Sequence, residues 1–273
     1  ALAYRKFRDR IHWGKWQQWK EVCDTLITWD DGTTVRSIKR FEYHGVFTEN
    51  ATLADVLDDI CGNCASTWQD DGKRLIFLGP FEVAPVHNFT EDNIVPSSFS
   101  VKPRDIRAIP NRIKVKFRNL DDPKLTPMPV EVEREDLKYK FGSVLTERNL
   151  CNMTQSQAQR VSSRQLKLEA GLKGKGTPVA CSVRGEADSL HVLPGDYVTI
   201  TNSAAGLSYQ LALVLAASPE PPETASDQTD FVLQTIDGVL YSDLDHSRLQ
   251  EPLIPFGGPS DIADLVFWYE VRN

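Results

Sequence analysis

Two kinds of residue pattern in this chain could do chemistry. The first is Cys61-Gly62-Asn63-Cys64, a thiol pair at a spacing that suits zinc or a redox couple. Zinc needs a second ligand pair. Cys23, Cys151 and Cys181 stand alone, and His12, His44, His87, His191 and His246 are scattered without paired spacing. Both thiols of the pair also fall on or near the apolar face of an expected helix, so packing is the expected role. The second pattern is the aspartate doublet: Asp30-Asp31, Asp58-Asp59, Asp70-Asp71 and Asp121-Asp122. Two carboxyl groups flanking a sugar linkage are the arrangement of glycoside hydrolases. Here two of the doublets lie in turns and one on an outer helix face, where acids are solvated. No nucleophile elbow, HExxH or phosphate loop occurs, and Gly171, Gly174 and Gly176 follow a helix rather than opening one. No catalytic residue, metal or cofactor is expected.

The elements that would position any site are easier to read. From Thr154 the chain carries Ala158, Val161, Leu168 and Leu172 on a stripe of three- and four-residue spacings that Gln165 interrupts, with Arg160, Arg164, Lys167 and Glu169 on other faces. This spacing predicts an amphipathic helix over 154–172, capped by Thr154 or Ser156 and ended by the glycines. Leu193-Pro194-Gly195-Asp196 then turns into an alternating strand, Tyr197-Val198-Thr199-Ile200.

Upstream, Tyr4, Phe7, Ile11, Trp16, Trp19, Cys23 and Leu26 make a stripe that predicts helix over residues 1–30, broken at Trp13-Gly14. Residues 40–47 alternate as a strand. Thr52 caps a helix carrying Val56, Leu57, Ile60 and Cys61. Asp70-Asp71-Gly72 joins two strands as a hairpin, and residues 85–90 read as one further strand of the same small unit. Strands then recur around Val101, Ile113, Val130, Val179, Tyr197, Leu211 and Val232. The fold class expected is α+β, mainly β: an antiparallel β-barrel or sandwich with a long buttressing helix, plus a small α+β domain. The expected divisions are a Trp-rich helical segment (1–35), the small α+β domain (36–95), the barrel (96–245) and a C-terminal linker (246–273).

Composition bounds the rest. A chain of 273 residues with 41% hydrophobic and 25% charged residues has the make-up of a globular protein. A net charge of -7 argues against a surface built for nucleic acid, and no apolar run approaches the roughly 20 residues of a membrane span. Five cysteines, an odd number at irregular spacing, do not read as a disulfide framework, so reduced thiols are expected. The chain starts without Met and ends on an apolar run, so a piece of a longer polypeptide is expected.

One ordered series of short motifs is more specific than any of its members. It runs Arg40-Phe41 with Gly45-Val46, Ala54-Asp55-Val56-Leu57-Asp58-Asp59-Ile60, Asp71-Gly72-Lys73 and Phe89-Thr90-Glu91-Asp92-Asn93-Ile94. It continues with Asn111-Arg112-Ile113-Lys114-Val115, Gln157-Ala158-Gln159-Arg160, Leu193-Pro194-Gly195-Asp196-Tyr197-Val198 and Tyr241-Ser242-Asp243. In this the chain resembles the tail-tip hub proteins of long-tailed phages, the family of the lambda-like tip attachment protein and the gene transfer agent hub. The resemblance implies a structural virion protein made in the bacterial host cytoplasm and placed at the tail tip. It implies a homotrimer that meets the distal tail protein, tail tube and tape measure protein, and that carries fibre or receptor-binding proteins.

Two other classes compete with that reading. One is a cell-wall or surface-glycan hydrolase using an acid pair; the other is a carbohydrate-binding module stacking sugars on Trp13, Trp16, Trp19 or Trp68. For the structural reading, the candidate subunit interface comprises Trp13, Trp16 and Trp19, because aromatics anchor interfaces, and Arg160, Arg164 and Lys167 on the polar face of the long helix. Charge reversal at Arg160 and Arg164 is expected to weaken assembly and spare the fold.

Overall fold

A computed structural model describes residues 9–30, 35–47, 51–70, 73–79, 84–102, 105–171, 177–219 and 227–236. The motif Tyr241-Ser242-Asp243, the linker 246–273, the hairpin turn at Asp71-Gly72, and Tyr4 and Phe7 lie outside the described residues.

The chain is α+β and mainly β. Helix α1 (Trp13–Asp24) starts at His12, whose Nδ1 accepts the Lys15 amide at 3.3 Å. It stops well short of residue 30. The run Leu26-Ile27-Thr28-Trp29 is β-branched and aromatic, and it forms strand β1 (Leu26–Asp30), which buries Ile27 and Trp29. Its antiparallel partner is β2 (Val35–Lys39). The strand expected over 40–47 is instead extended chain carrying one bridge, between His44 and Asn152. Helix α2 (Leu53–Asn63) has the expected N-cap at Thr52, and Asp55 completes it as a capping box: the Asp55 amide donates to Thr52 Oγ1, and the Thr52 amide to Asp55 Oδ2. Strands β3 (Thr67–Asp70) and β4 (Leu75–Leu78) pair as the expected hairpin. Trp19, Cys23, Leu57, Cys61, Leu75 and Phe77 fill the core beneath these elements.

The strands expected to close one barrel form two sheets among the described residues. The larger has the order β5-β11-β12-β13-β10-β6 and stays open. Its strands are β5 (His87–Phe89), β6 (Ser100–Lys102), β10 (Ala180–Gly185), β11 (Tyr197–Asn202), β12 (Leu207–Pro219) and β13 (Thr229–Thr235). β5, read from sequence as the end of the small unit, instead runs parallel to β11; the other pairings are antiparallel. Phe89, Val183, Val198, Val214, Phe231 and Leu233 make its core.

The smaller sheet, order β8-β7-β9, contains β7 (Arg112–Asn119), β8 (Pro127–Glu133) and β9 (Leu145–Met153). Pro127 and Pro129 cannot donate to a second neighbour, which suits β8 to an edge and not to a closed barrel. One face of β7 is charged and solvated: Arg112 pairs with Glu131, and Lys116 lies 3.0 Å from Glu147. The other face carries Ile113, Val115 and Phe117, against which the long helix packs Ala158, Leu166 and Ala170. The sequence predicts no element between β8 and that helix. A short helix α3 (Glu135–Phe141) and β9 intervene, and β9 lies parallel to β7. The long helix α4 (Gln155–Ala170) has Thr154 as its N-cap and Gly171, at φ +77°, as its C-cap.

Candidate interaction surface around α1 and α4

The three indoles of α1 have three different environments. Trp13 is 50% exposed, Trp16 is half-buried and Trp19 is 7% exposed. Trp16 packs edge-on against Phe77 at 4.7 Å between ring centroids and lies 5.0 Å from Trp19. Trp19 Nε1 donates to Ser66 Oγ at 2.7 Å, and that hydroxyl donates to the Cys64 carbonyl at 2.8 Å. Trp19 is thus a core residue with its one polar atom satisfied. Beside these rings is an open cleft of about 380 Å3 whose walls include Lys20, Asp24, Lys39, Glu42 and His44. Its charges are largely paired within the chain. Asp24 lies 2.8 Å from Lys20 and 3.1 Å from Lys39, and these two ammonium groups hold its carboxyl below the ordinary aspartate range.

The polar residues in the first turns of α4 are buried tethers. Gln157 Nε2 donates to the carbonyls of Glu42 (2.7 Å) and Asn63 (2.9 Å), and its Oε1 accepts the Glu42 amide (3.1 Å). Arg160 is 5% exposed; it donates to Ser156 Oγ and, at 2.6 Å, to the Arg40 carbonyl, with its guanidinium 5.6 Å from the Phe41 ring centroid. Charge reversal at Arg160 would therefore strike the fold itself, contrary to the expectation from sequence. Arg164 and Lys167, further along, are half-buried. At the C-terminal end, Gln234 Nε2 donates to the Leu168 carbonyl at 2.6 Å, and Leu168 packs against Tyr197 and Ile236. Val161 reaches the core under α1. A single helix thus touches the small unit and both sheets.

The motif before β11 makes a second junction. Gly195, at φ +83°, leaves no room for a Cβ because Leu78 of β4 packs directly on it. Asp196 Oδ2 accepts the Leu193 amide at 2.8 Å, which fixes the turn, and Oδ1 pairs with Lys15 of α1.

Among the described residues, most of the groups singled out for chemistry are engaged in structure; Asp31, Asp71 and His246 lie outside them. Cys61 and Cys64 are buried beside Cys23. A hydrogen bond to Cys64, then burial, raises the Cys23 thiol, and burial pushes Cys61 up to about 12. Among the described residues no three His, Cys, Asp or Glu side chains gather to hold a metal. Asp58 accepts Trp68 Nε1 at 2.7 Å. Asp59 accepts the Tyr43 hydroxyl at 2.7 Å, Cys151 Sγ at 3.0 Å and Asn63 Nδ2 at 3.2 Å. Burial and that carboxylate raise both the Tyr43 hydroxyl and the Cys151 thiol, the latter to about 11. Asp121 lies 3.6 Å from Arg36, Asp122 accepts the Lys124 amide, and Asp70 holds Arg10 at 2.5–2.7 Å. One gathering was not legible: His87 and His191 meet with ring centroids 5.5 Å apart, and His87 Nε2 lies 3.9 Å from Asp188. The parallel pairing of β5 with β11 and the contact of His191 Nε2 with the Val86 carbonyl at 3.2 Å bring them together.

No family model and no curated protein matches the chain. Among solved structures it is similar to a chain in the virion of a native gene transfer agent particle, with a TM-score of 0.55 at 12% identity over 72% of this chain. That likeness is one of fold. The tail protein from Neisseria meningitidis MC58 gives a TM-score of 0.43 at 12% identity over 74% of this chain. The 43 kDa tail protein of prophage MuSo2 from Shewanella oneidensis gives 0.42 at 10% over 69%. This chain spans 42%, 59% and 55% of those three chains respectively.

Proposed function

We propose that this chain is a structural component of a phage or phage-like tail and, within it, a hub at the tail tip. The observation that carries the reading is the fold shared with a chain of the gene transfer agent virion, at a TM-score of 0.55. The ordered motifs from Arg40-Phe41 to Leu193-Pro194-Gly195-Asp196 support the same family. The chemistry-bearing side chains add to it: Asp58, Asp59, Asp70, Asp121 and Asp122 are each engaged by a donor or cation of their own fold, which suits a scaffold.

In this reading the protein is a homotrimer that closes the tail tube, meets the distal tail protein and tape measure protein, and carries fibre or receptor-binding proteins. The subunit contact narrows to the candidate residues that remain accessible: Trp13, Trp16, Arg164 and Lys167. Light scattering of the full-length protein after size exclusion tests the hub assignment. A mass of three chains is expected, and a stable monomer would overturn it.

A further inference from the structure

Three of the five cysteines meet under α1, although Cys23 is distant in sequence from the Cys61/Cys64 pair. Cys23 occupies the last turn of α1, one turn after Trp19, and Cys64 is the C-cap of α2. Trp19 is tied through Ser66 to the carbonyl of Cys64 itself, so the face of α1 that carries Cys23 is held against the end of α2. Both Cys23 and Cys64 line the open cleft of about 380 Å3, whereas Cys61 is 1% exposed and off its wall.

We propose that Cys23 and Cys64 are an oxidisable pair, a disulfide site that locks α1 to the end of α2 when the protein meets an oxidising medium. The cleft admits the co-reactant, a small aliphatic disulfide. One protein thiol loses its proton and attacks a sulfur of the reagent, expelling one reagent thiolate. The second protein thiolate then attacks the protein sulfur of the mixed disulfide and expels the other. Two protein thiols become one disulfide, the reagent is reduced to two thiols, and the two protons end on those thiols. A hydrogen bond to Cys64, then burial, disfavours the Cys23 thiolate, so its attack is slow near neutrality and quickens by about tenfold per pH unit. The product closes a long loop between two helices and restricts the unfolded chain.

The test treats the reduced full chain with cystamine and maps disulfides in a non-reducing digest. The expected result is a linked Cys23–Cys64 peptide, a loss of two hydrogens in intact mass, and a thermal midpoint raised by several degrees and returned by dithiothreitol. Cys23→Ser or Cys64→Ser should abolish the rise and Cys61→Ser should keep it. A Cys61–Cys64 link, cystamine adducts on Cys151 alone, or unreacted thiols would each overturn the proposal. Peptide mapping of the unsubstituted protein decides it even where a serine variant fails to fold.

Discussion

Lys15 of α1 forms an ion pair with Asp196 in the turn before β11, so the Trp-bearing helix is bolted to the six-stranded sheet where β11 begins. Asp196 is 7% exposed, and its other oxygen fixes the turn by accepting the Leu193 amide. Replacing Asp196 with Ala leaves that amide and the Lys15 ammonium without their partner. A loss of about 2–4 kcal/mol is expected in urea denaturation. Lys15→Met, which keeps the turn hydrogen bond, should cost less, and a double-mutant cycle should show the two changes to be strongly non-additive.

Gly195 supplies both the left-handed backbone and the contact surface for Leu78. Gly195→Ala is expected to cost about 1–3 kcal/mol from backbone strain, plus the displacement of Leu78. Adding Leu78→Ala should recover the steric part only, so the pair measured together by thermal unfolding separates contact from strain.

Arg160 and Arg164 lie on the same helix but should respond differently to charge reversal. Arg160→Glu puts a buried carboxylate against the Arg40 carbonyl and is expected to cost about 3–5 kcal/mol. Arg164→Glu and Lys167→Glu, at half-buried positions, should leave the thermal midpoint within a few degrees. If these two define a subunit contact, they lower the trimer fraction in light scattering without lowering the midpoint.

His87 makes stability depend on pH near neutrality. Burial lowers its folded pKa, opposed by Asp188 and reinforced by His191. The unfolded chain therefore takes up the proton first. Stability should fall as pH falls below about 6.5, the ordinary histidine value, until the folded form also protonates. Denaturant midpoints between about pH 7.5 and pH 5 should show this slope, and His87→Gln should flatten it.

The sequence disclosed those parts of the fold whose causes are local. Thr52 and Thr154 cap helices because an oxygen side chain precedes an apolar periodicity, and Pro194-Gly195-Asp196 announces its own turn. The alternation of Ile113, Val115 and Phe117 gives β7 directly. Partnership was not legible. Nothing in His87-Asn88-Phe89 says that it runs parallel to β11, and β9, with Thr146-Glu147-Arg148-Asn149 mostly facing water, lacks the alternation of a half-buried strand. The polar side chains of α4 misled for the same reason. Arg160 read as part of a polar face, and Gln157 as a motif residue without a role, because sequence does not show the backbone carbonyls of Arg40, Glu42 and Asn63 that they satisfy.

The proposed place of this chain, built into a tail and at its tip, can be seen by microscopy. Gold-labelled antibody against the protein, imaged on purified intact particles from its source cells, tests this most directly. Label confined to the distal end of the tail is expected. Particles that carry no label while the protein stays in the soluble fraction, or label spread along the tube, would contradict it.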